Sequence, residues 1–269
     1  MGHWTIEDIP WARFAPDRLD PDLTAVVKAA SLVEHNSADY ADYLCNVFAD
    51  DPAFQAAARE WAVEEAQHGE ALGRWGEMAD PGFDFAESRA RFRAGYRIPV
   101  EASESVRGSR SGELTARCVV ETGTSSFYSA LRDASREPVL KVICAKIAGD
   151  EFRHYKLFYT HMQRYLESEK PSRLRRVWVA VGRYREADDD ELAFAYHCAN
   201  TANAAYDRKA AASAYAARAY RCYRRDHVQR AVSMILKATG LSARGRLGDV
   251  ATNLSWRPLR RQARGPLAA

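Results

Sequence analysis

The sequence predicts an all-α fold on three observations. Strand signals are scarce along the 269 residues. Clusters of Pro, Gly and Asp separate segments many turns long, the lengths of helices rather than strands. Two copies of Glu-x-x-His, at Glu65–His68 and Glu151–His154, bring a carboxylate and an imidazole onto one face only if the surrounding chain is helical.

Residues 1–22 read as an irregular lead-in punctuated by Pro10, Pro16 and Pro21. A helix follows over about 22–48 and ends at Asp50-Asp51-Pro52. The next starts at Pro52, a residue suited to the first turn, and runs to about Met78, where Asp80-Pro81-Gly82 closes it. Residues 83–110 form a long connection containing Pro99 and a Gly/Ser-rich end. Helices are expected over about 112–135 and 137–168, with Pro138 near the start of the second and Pro171 beyond its end. Further helices rich in Ala, Tyr and Arg fill about 171–239, with Gly240 as their stop. The segment from Tyr196 to Tyr223 reads as one helix, a packed layer rather than the cover of an apolar channel. The domain thus spans 23–240, and the Arg-rich residues 241–269 read as a loosely ordered tail or docking segment.

An apolar content of 47% is enough for one large core, and no apolar run reaches the ~20 residues of a membrane-spanning helix. The first residues lack the basic start and apolar run of a secretory signal. Cys45, Cys118, Cys144, Cys198 and Cys222 form no Cys-x-x-Cys, which argues against a disulfide framework or thiolate metal site and for a reducing cytoplasm. Charge is uneven. From residue 171 onward, 19 Lys/Arg face 8 Asp/Glu, a surplus of +11, whereas the first 170 residues balance at −8. A basic last third on an acidic body suggests an anionic partner, such as an acidic carrier protein or a lipid surface, or else contact with the body itself. A solvated helix face and loose tail would read the same way. No nucleic-acid partner is expected.

The two Glu-x-x-His strings gain force from two further glutamates. Glu34 lies one helix before the first and Glu121 one helix before the second. The intervals, 31 residues from Glu34 to Glu65 and 30 from Glu121 to Glu151, each fit half a helix, a turn and half a helix. Four carboxylates and two imidazoles make a hard, anionic donor set that suits Fe, Mn or Zn. Two divalent ions would balance the four glutamates, whereas without metal the carboxylates would repel one another and rise in pKa.

Glu, then Glu-x-x-His, repeated twice, is similar to the ligand set of the ferritin-like di-iron carboxylate proteins. The resemblance implies a ferritin-like four-helix bundle with additional C-terminal helices, in which residues 83–110 are the crossover between two helical hairpins. Glu64-Glu65-Ala66-Gln67-His68-Gly69 resembles the Glu-Glu-Asn-Arg-His-Gly string of the soluble acyl-carrier-protein desaturases. Asp150-Glu151-Phe152-Arg153-His154 resembles their Asp-Glu-Lys-Arg-His, and Glu121-Thr122-Gly123-Thr124 their Glu followed by Thr at the third position. The likeness covers about residues 30–165 and departs from the family at Ala66-Gln67.

That resemblance implies Glu34, Glu65, His68, Glu121, Glu151 and His154 as ligands of two Fe ions (Fe2+/Fe3+), with Mn as the other option. It places Thr124 beside the oxygen-binding side, as a hydrogen-bond donor or proton relay, and Asp150 behind an opposing histidine. A Thr bonded to its own helix backbone and a solvated surface Asp are the plainer alternatives. The implied activity is O2-dependent attack on an unactivated C–H bond, with a small-molecule or carrier-bound acyl substrate, an external ferredoxin- or reductase-like electron donor and a homodimeric assembly. A ferroxidase or other iron-handling protein, a di-iron N-oxygenase or radical-generating enzyme, and a metal-free scaffold are the competing classes. Tyr128 and His161 also lie on ligand-bearing faces, where cavity lining or core packing is expected in preference to a radical or ligand role. Cys118 and Cys144 read as small packing residues on those faces.

Overall fold

The computed structural model of the chain describes residues 4–186 and 190–263, and every regular element among them is helical. Short 3-10 turns at Ile6–Asp8, Trp11–Arg13 and Pro16–Arg18 lead into α1 (Pro21–Glu34), α2 (Ser37–Val47) and α3 (Pro52–Ala79). Then come α4 (Phe85–Gly95), α5 (Arg110–Ala134) and α6 (Pro138–Glu169). The last third holds α7 (Arg173–Arg185), α8 (Asp190–Asn200), α9 (Arg208–Arg221), α10 (Arg225–Ala238) and α11 (Arg246–Gln262).

The starts of the long helices are fixed by their sequence. Asp20 and Asp51 accept backbone N–H groups at the starts of α1 and α3, and Ser109 does so for α5. Each such cap contributes about 1 kcal/mol. Proline occupies the first turn of α1, α3 and α6, where its missing N–H leaves no bond unmade. Glu137 has a wider role. Its buried carboxylate caps α6 by accepting from Val139 and Leu140, and also accepts from Trp75 on α3 and the Ala15 backbone. One side chain thereby ties the lead-in to two long helices.

With 28 and 32 residues, α3 and α6 extend about 42 and 48 Å at ~1.5 Å per residue. Their middles carry Glu65, His68, Glu151 and His154, and these polar residues divide the apolar interior. On one side Leu72 and Trp75 pack with Leu131, Leu140 and Ile143. On the other Phe54 and Trp61 pack with Leu114, Phe158 and Met162. The polar layer is therefore gripped between two apolar ends of the same helices.

Four expectations need correction. The helix expected over 22–48 is interrupted at His35 and Asn36, so that Glu34 closes α1 and Ser37 opens α2. No Pro or Gly lies at the break. Its setting is the close passage of α3, where a Cβ on Gly69 would lie 2.6 Å from the His35 Cβ and backbone nitrogen. The connection over 83–110 contains α4, capped by Asp84 and anchored through the fully buried Phe92. The segment Tyr196–Tyr223 is not one helix, because α8 ends at Asn200 and α9 begins at Arg208 with Asp207 as its cap. Finally, the tail forms α11, whose Trp256 and Leu259 pack on Val228, Val232 and Leu236 of α10. Residues 264–269 of that tail, and residues 1–3 of the lead-in, lie outside the described residues. The rest of the lead-in is irregular as expected but packed down, with Trp4 and Ile9 buried.

Gly69 sets the distance between α3 and the α1–α2 corner that carries Glu34. Gly69→Ala is expected to destabilise the fold by about 1–3 kcal/mol, the usual result of overpacking. Thermal unfolding followed by circular dichroism checks this, and an unchanged midpoint would show that the corner can yield.

Candidate metal centre

All six sequence-derived ligands meet in one buried cluster. Glu34 comes from the end of α1, Glu65 and His68 from α3, Glu121 from α5, and Glu151 and His154 from α6. They form two sets of four whose donor atoms lie within 4.8 Å of one another: Glu34, Glu65, His68 and Glu151 in one, Glu65, Glu121, Glu151 and His154 in the other. Each set could hold a cation, with Glu65 and Glu151 common to both.

Both imidazoles turn Nδ1 inward. His68 Nδ1 lies 3.2 Å from Glu151 and 3.4 Å from Glu65, and His154 Nδ1 lies 3.0 Å from Glu65 and 3.7 Å from Glu121. Yet His68 Nδ1, His154 Nδ1, Glu121 Oε1 and Glu151 Oε1 are buried without a hydrogen-bond partner. Buried polar atoms are seldom left unmade. Four such unpartnered polar atoms within the two donor sets suit divalent cations.

The outer nitrogens are held reciprocally. His68 on α3 directs Nε2 to Asp150 of α6 at 3.0 Å, and His154 on α6 directs Nε2 to Glu64 of α3 at 2.9 Å. With Nε2–H donated to a carboxylate, Nδ1 is left as the lone-pair donor, the tautomer a metal ligand needs. Arg153 donates to both acids, at 2.6 Å to Asp150 and 3.0 Å to Glu64. Trp4 adds its indole N–H to Asp150 at 2.6 Å and lies parallel to the His68 ring, centroids 5.9 Å apart.

Asp150 thus stands where the resemblance put it. Glu64 and Trp4 were not foreseen. The signal for Glu64 was present, since an acidic residue immediately precedes each Glu-x-x-His string. Trp4, 146 residues from its partner, had none.

Thr124 donates to Glu151 at 2.6 Å, and its hydroxyl also lies within 3.3 Å of its own helix carbonyls at Val120 and Glu121. Both readings of this residue therefore have a partner in place. Tyr128 lines the cavity, as expected, and its hydroxyl also donates to Glu34 at 2.5 Å. His161 takes no part and packs edge-on against Phe54. All five cysteines are free and buried. A cavity of about 460 Å3 opens beside the cluster, with Glu34, Thr124 and Tyr128 on its inner wall. Tyr215 and Tyr223 of the last third complete its sides.

Charge in the metal-free cluster is shared unevenly. Burial, reinforced by Glu65, pushes Glu34 well above the carboxylate range, and burial with Glu151 and Glu65 does the same to Glu121. Burial would also raise Glu65 and Glu151, but the facing histidines, with Glu34 in the case of Glu65, draw both below their ordinary value. Burial would lower His68 and His154. Surrounding carboxylates, led by Asp150 for His68 and Glu151 for His154, outweigh it and raise both well above the usual imidazole value.

No protein-family model matches the chain, and no curated protein matches it in sequence.

Two measurements test the centre. Burial and neighbouring carboxylates raise Glu34 and Glu121, and surrounding carboxylates raise His68 and His154, so a cation entering the cluster competes with protons for these groups. Affinity for a divalent ion is expected to rise with pH, with a calorimetric heat that depends on the ionisation enthalpy of the buffer; a buffer-independent heat would contradict this. Asp150→Ala or Glu64→Ala is expected to weaken metal affinity about 10–100-fold by releasing a histidine from its outer partner, which competition with a chelating dye would quantify.

Proposed function

We propose that this protein is a dinuclear non-haem oxidoreductase of the desaturase-like, ferritin-like kind, which uses O2 to attack an unactivated C–H bond. The observation that carries the reading is the pair of four-donor sets sharing Glu65 and Glu151, with unpartnered inward Nδ1 atoms. Glu34, Glu65, His68 and Glu151 would hold one ion, and Glu65, Glu121, Glu151 and His154 the other. A pair of redox-active ions held there, iron by resemblance and manganese as the other option, would supply the redox chemistry toward O2.

The remaining work belongs to this chain's side chains. Asp150 and Glu64 fix the tautomer and aim of the histidines. Tyr128 fixes Glu34. Thr124, on the cavity wall and bonded to Glu151, can hold or pass a proton between cluster and cavity. The largely apolar cavity orients an alkyl chain and keeps water from the reacting carbon, and a fatty acyl group is the substrate the resemblance implies. Its opening beside the ligands favours substrate oxidation over iron storage, which needs only a path for ions.

Removing two hydrogens from a chain while reducing O2 to two waters requires two further electrons and two protons. An external ferredoxin- or reductase-like donor would supply the electrons. Trp4, Asp150 and His68 form a continuous hydrogen-bonded series from the lead-in to the cluster.

Protein loaded with iron is expected to bind about two ions per chain, one for each four-donor set. After reduction and exposure to O2 it should show the optical bands of an oxidised iron pair, and mass spectrometry of candidate acyl substrates should show an olefinic or hydroxylated product. Glu121→Ala and His154→Ala are expected to abolish both signals. Bands of undiminished strength in either variant would overturn the ligand assignment; intact bands without an oxidised product from any acyl chain would overturn the substrate.

A further inference from the structure

The last third of the chain carries two helices that expose apolar stripes among arginines. On α7, Leu174, Trp178 and Val181 follow one another at helical spacing, and Leu174 and Trp178 are 81% and 75% exposed. The same line continues to Arg185. Exposed Arg173 and Arg175 lie to its two sides, and Arg173–Arg185 contains five arginines and no acidic residue. On α11, Leu247, Val250 and Leu254 are spaced i, i+3, i+7 and exposed, Leu254 to 65%, and this line continues to Arg257 and Arg261.

Both helices reach the cavity. Tyr184 and Arg185 of α7 line it together with Pro258 and Leu259 of α11. Both stripes therefore belong to helices that line the same cavity.

Exposed large apolar side chains in a row on a basic helix are the pattern of a helix lying in a lipid interface, with its apolar line among acyl chains and its arginines at anionic headgroups. An acidic protein partner would satisfy the arginines but give no reason for solvent-facing Leu174, Trp178 and Leu254. We infer that α7 and α11 form a docking surface for an anionic lipid bilayer beside the cavity that both helices line. The polarity of the chain agrees: the last third has a surplus of +11, the preceding 170 residues a balance of −8. The acidic body is thus turned from the negative surface and the basic face toward it. No helix among the described residues is long and apolar enough to cross a membrane, so this contact is interfacial. It does not rest on the oxidative function proposed above.

Cosedimentation of the full chain with vesicles provides the test, using phosphatidylcholine alone and phosphatidylcholine with phosphatidylglycerol in equal parts. The protein is expected to pellet with the mixed vesicles and remain in solution with the neutral ones. High salt should weaken the binding without abolishing it, because the apolar stripes still insert. Leu174→Asp with Trp178→Ala, and separately Leu254→Asp, are expected to weaken it ~tenfold or more. Val63→Asp, at an exposed apolar position on α3, should bind like the parent. These side chains face solvent, so circular dichroism should show unaltered folding. No binding to the mixed vesicles, equal binding by the stripe variants, or capture by an acidic carrier protein with none by vesicles would each overturn the inference. The readout needs neither metal nor turnover, so its failure is separate from that of the oxidoreductase reading.

Discussion

Four glutamates held together where water is excluded impose the condition on which the rest of this molecule depends. Two carboxylates ~4 Å apart oppose each other by about 4 kcal/mol even at an effective dielectric constant near 20. Five such pairings, every pair among the four except Glu34 with Glu121, cannot stand without positive charge among them. The imidazoles of His68 and His154 lie within reach of these carboxylates, and two divalent cations would balance all four. The chain withstands the strain because the polar layer lies mid-way along long helices. Phe54, Phe158 and Met162 grip it from one end and Leu72, Leu131 and Leu140 from the other.

Around that layer each element has a positional task. Gly69 allows α3 to approach the corner that presents Glu34. Glu137 fastens the start of α6 to Trp75 and the lead-in, which brings Trp4 over His68. The acid preceding each Glu-x-x-His reaches across to the histidine of the other string. Cavity and cluster share Glu34, Thr124 and Tyr128, so whatever occupies the one is in contact with the side chains that shape the other.

The ligand set was legible because it combines two periodicities. A spacing of three places carboxylate and imidazole on one helix face, and a spacing near thirty brings two mid-helix positions level across a turn. Both follow from helix geometry alone. The break after Glu34 was not legible, because its setting is a glycine 34 positions later rather than any local breaker. Charge concealed α4: Arg89, Arg91 and Arg93 dominate its sequence, while Phe92 alone anchors it deeply. Pro258 and an Arg-rich composition made α11 look like a tail, although Trp256 and Leu259 give it an apolar side to bury. Glu64 was hidden for another reason. A carboxylate next to a ligand reads as solvated surface until the opposite helix is in place.

The reciprocal clasp of the two histidines is not perfectly symmetrical. Asp150 is one methylene shorter than Glu64 and accepts an indole N–H as well as the guanidinium, and its carboxyl is held below the ordinary range against the effect of burial by His68, Trp4 and Arg153. Glu64 shares Arg153 but not the tryptophan. The two histidines of an arrangement that looks duplicated in sequence are therefore braced by different side chains. Any two ions held there would meet unlike surroundings, one imidazole braced by an indole-bound carboxylate and the other by a longer one.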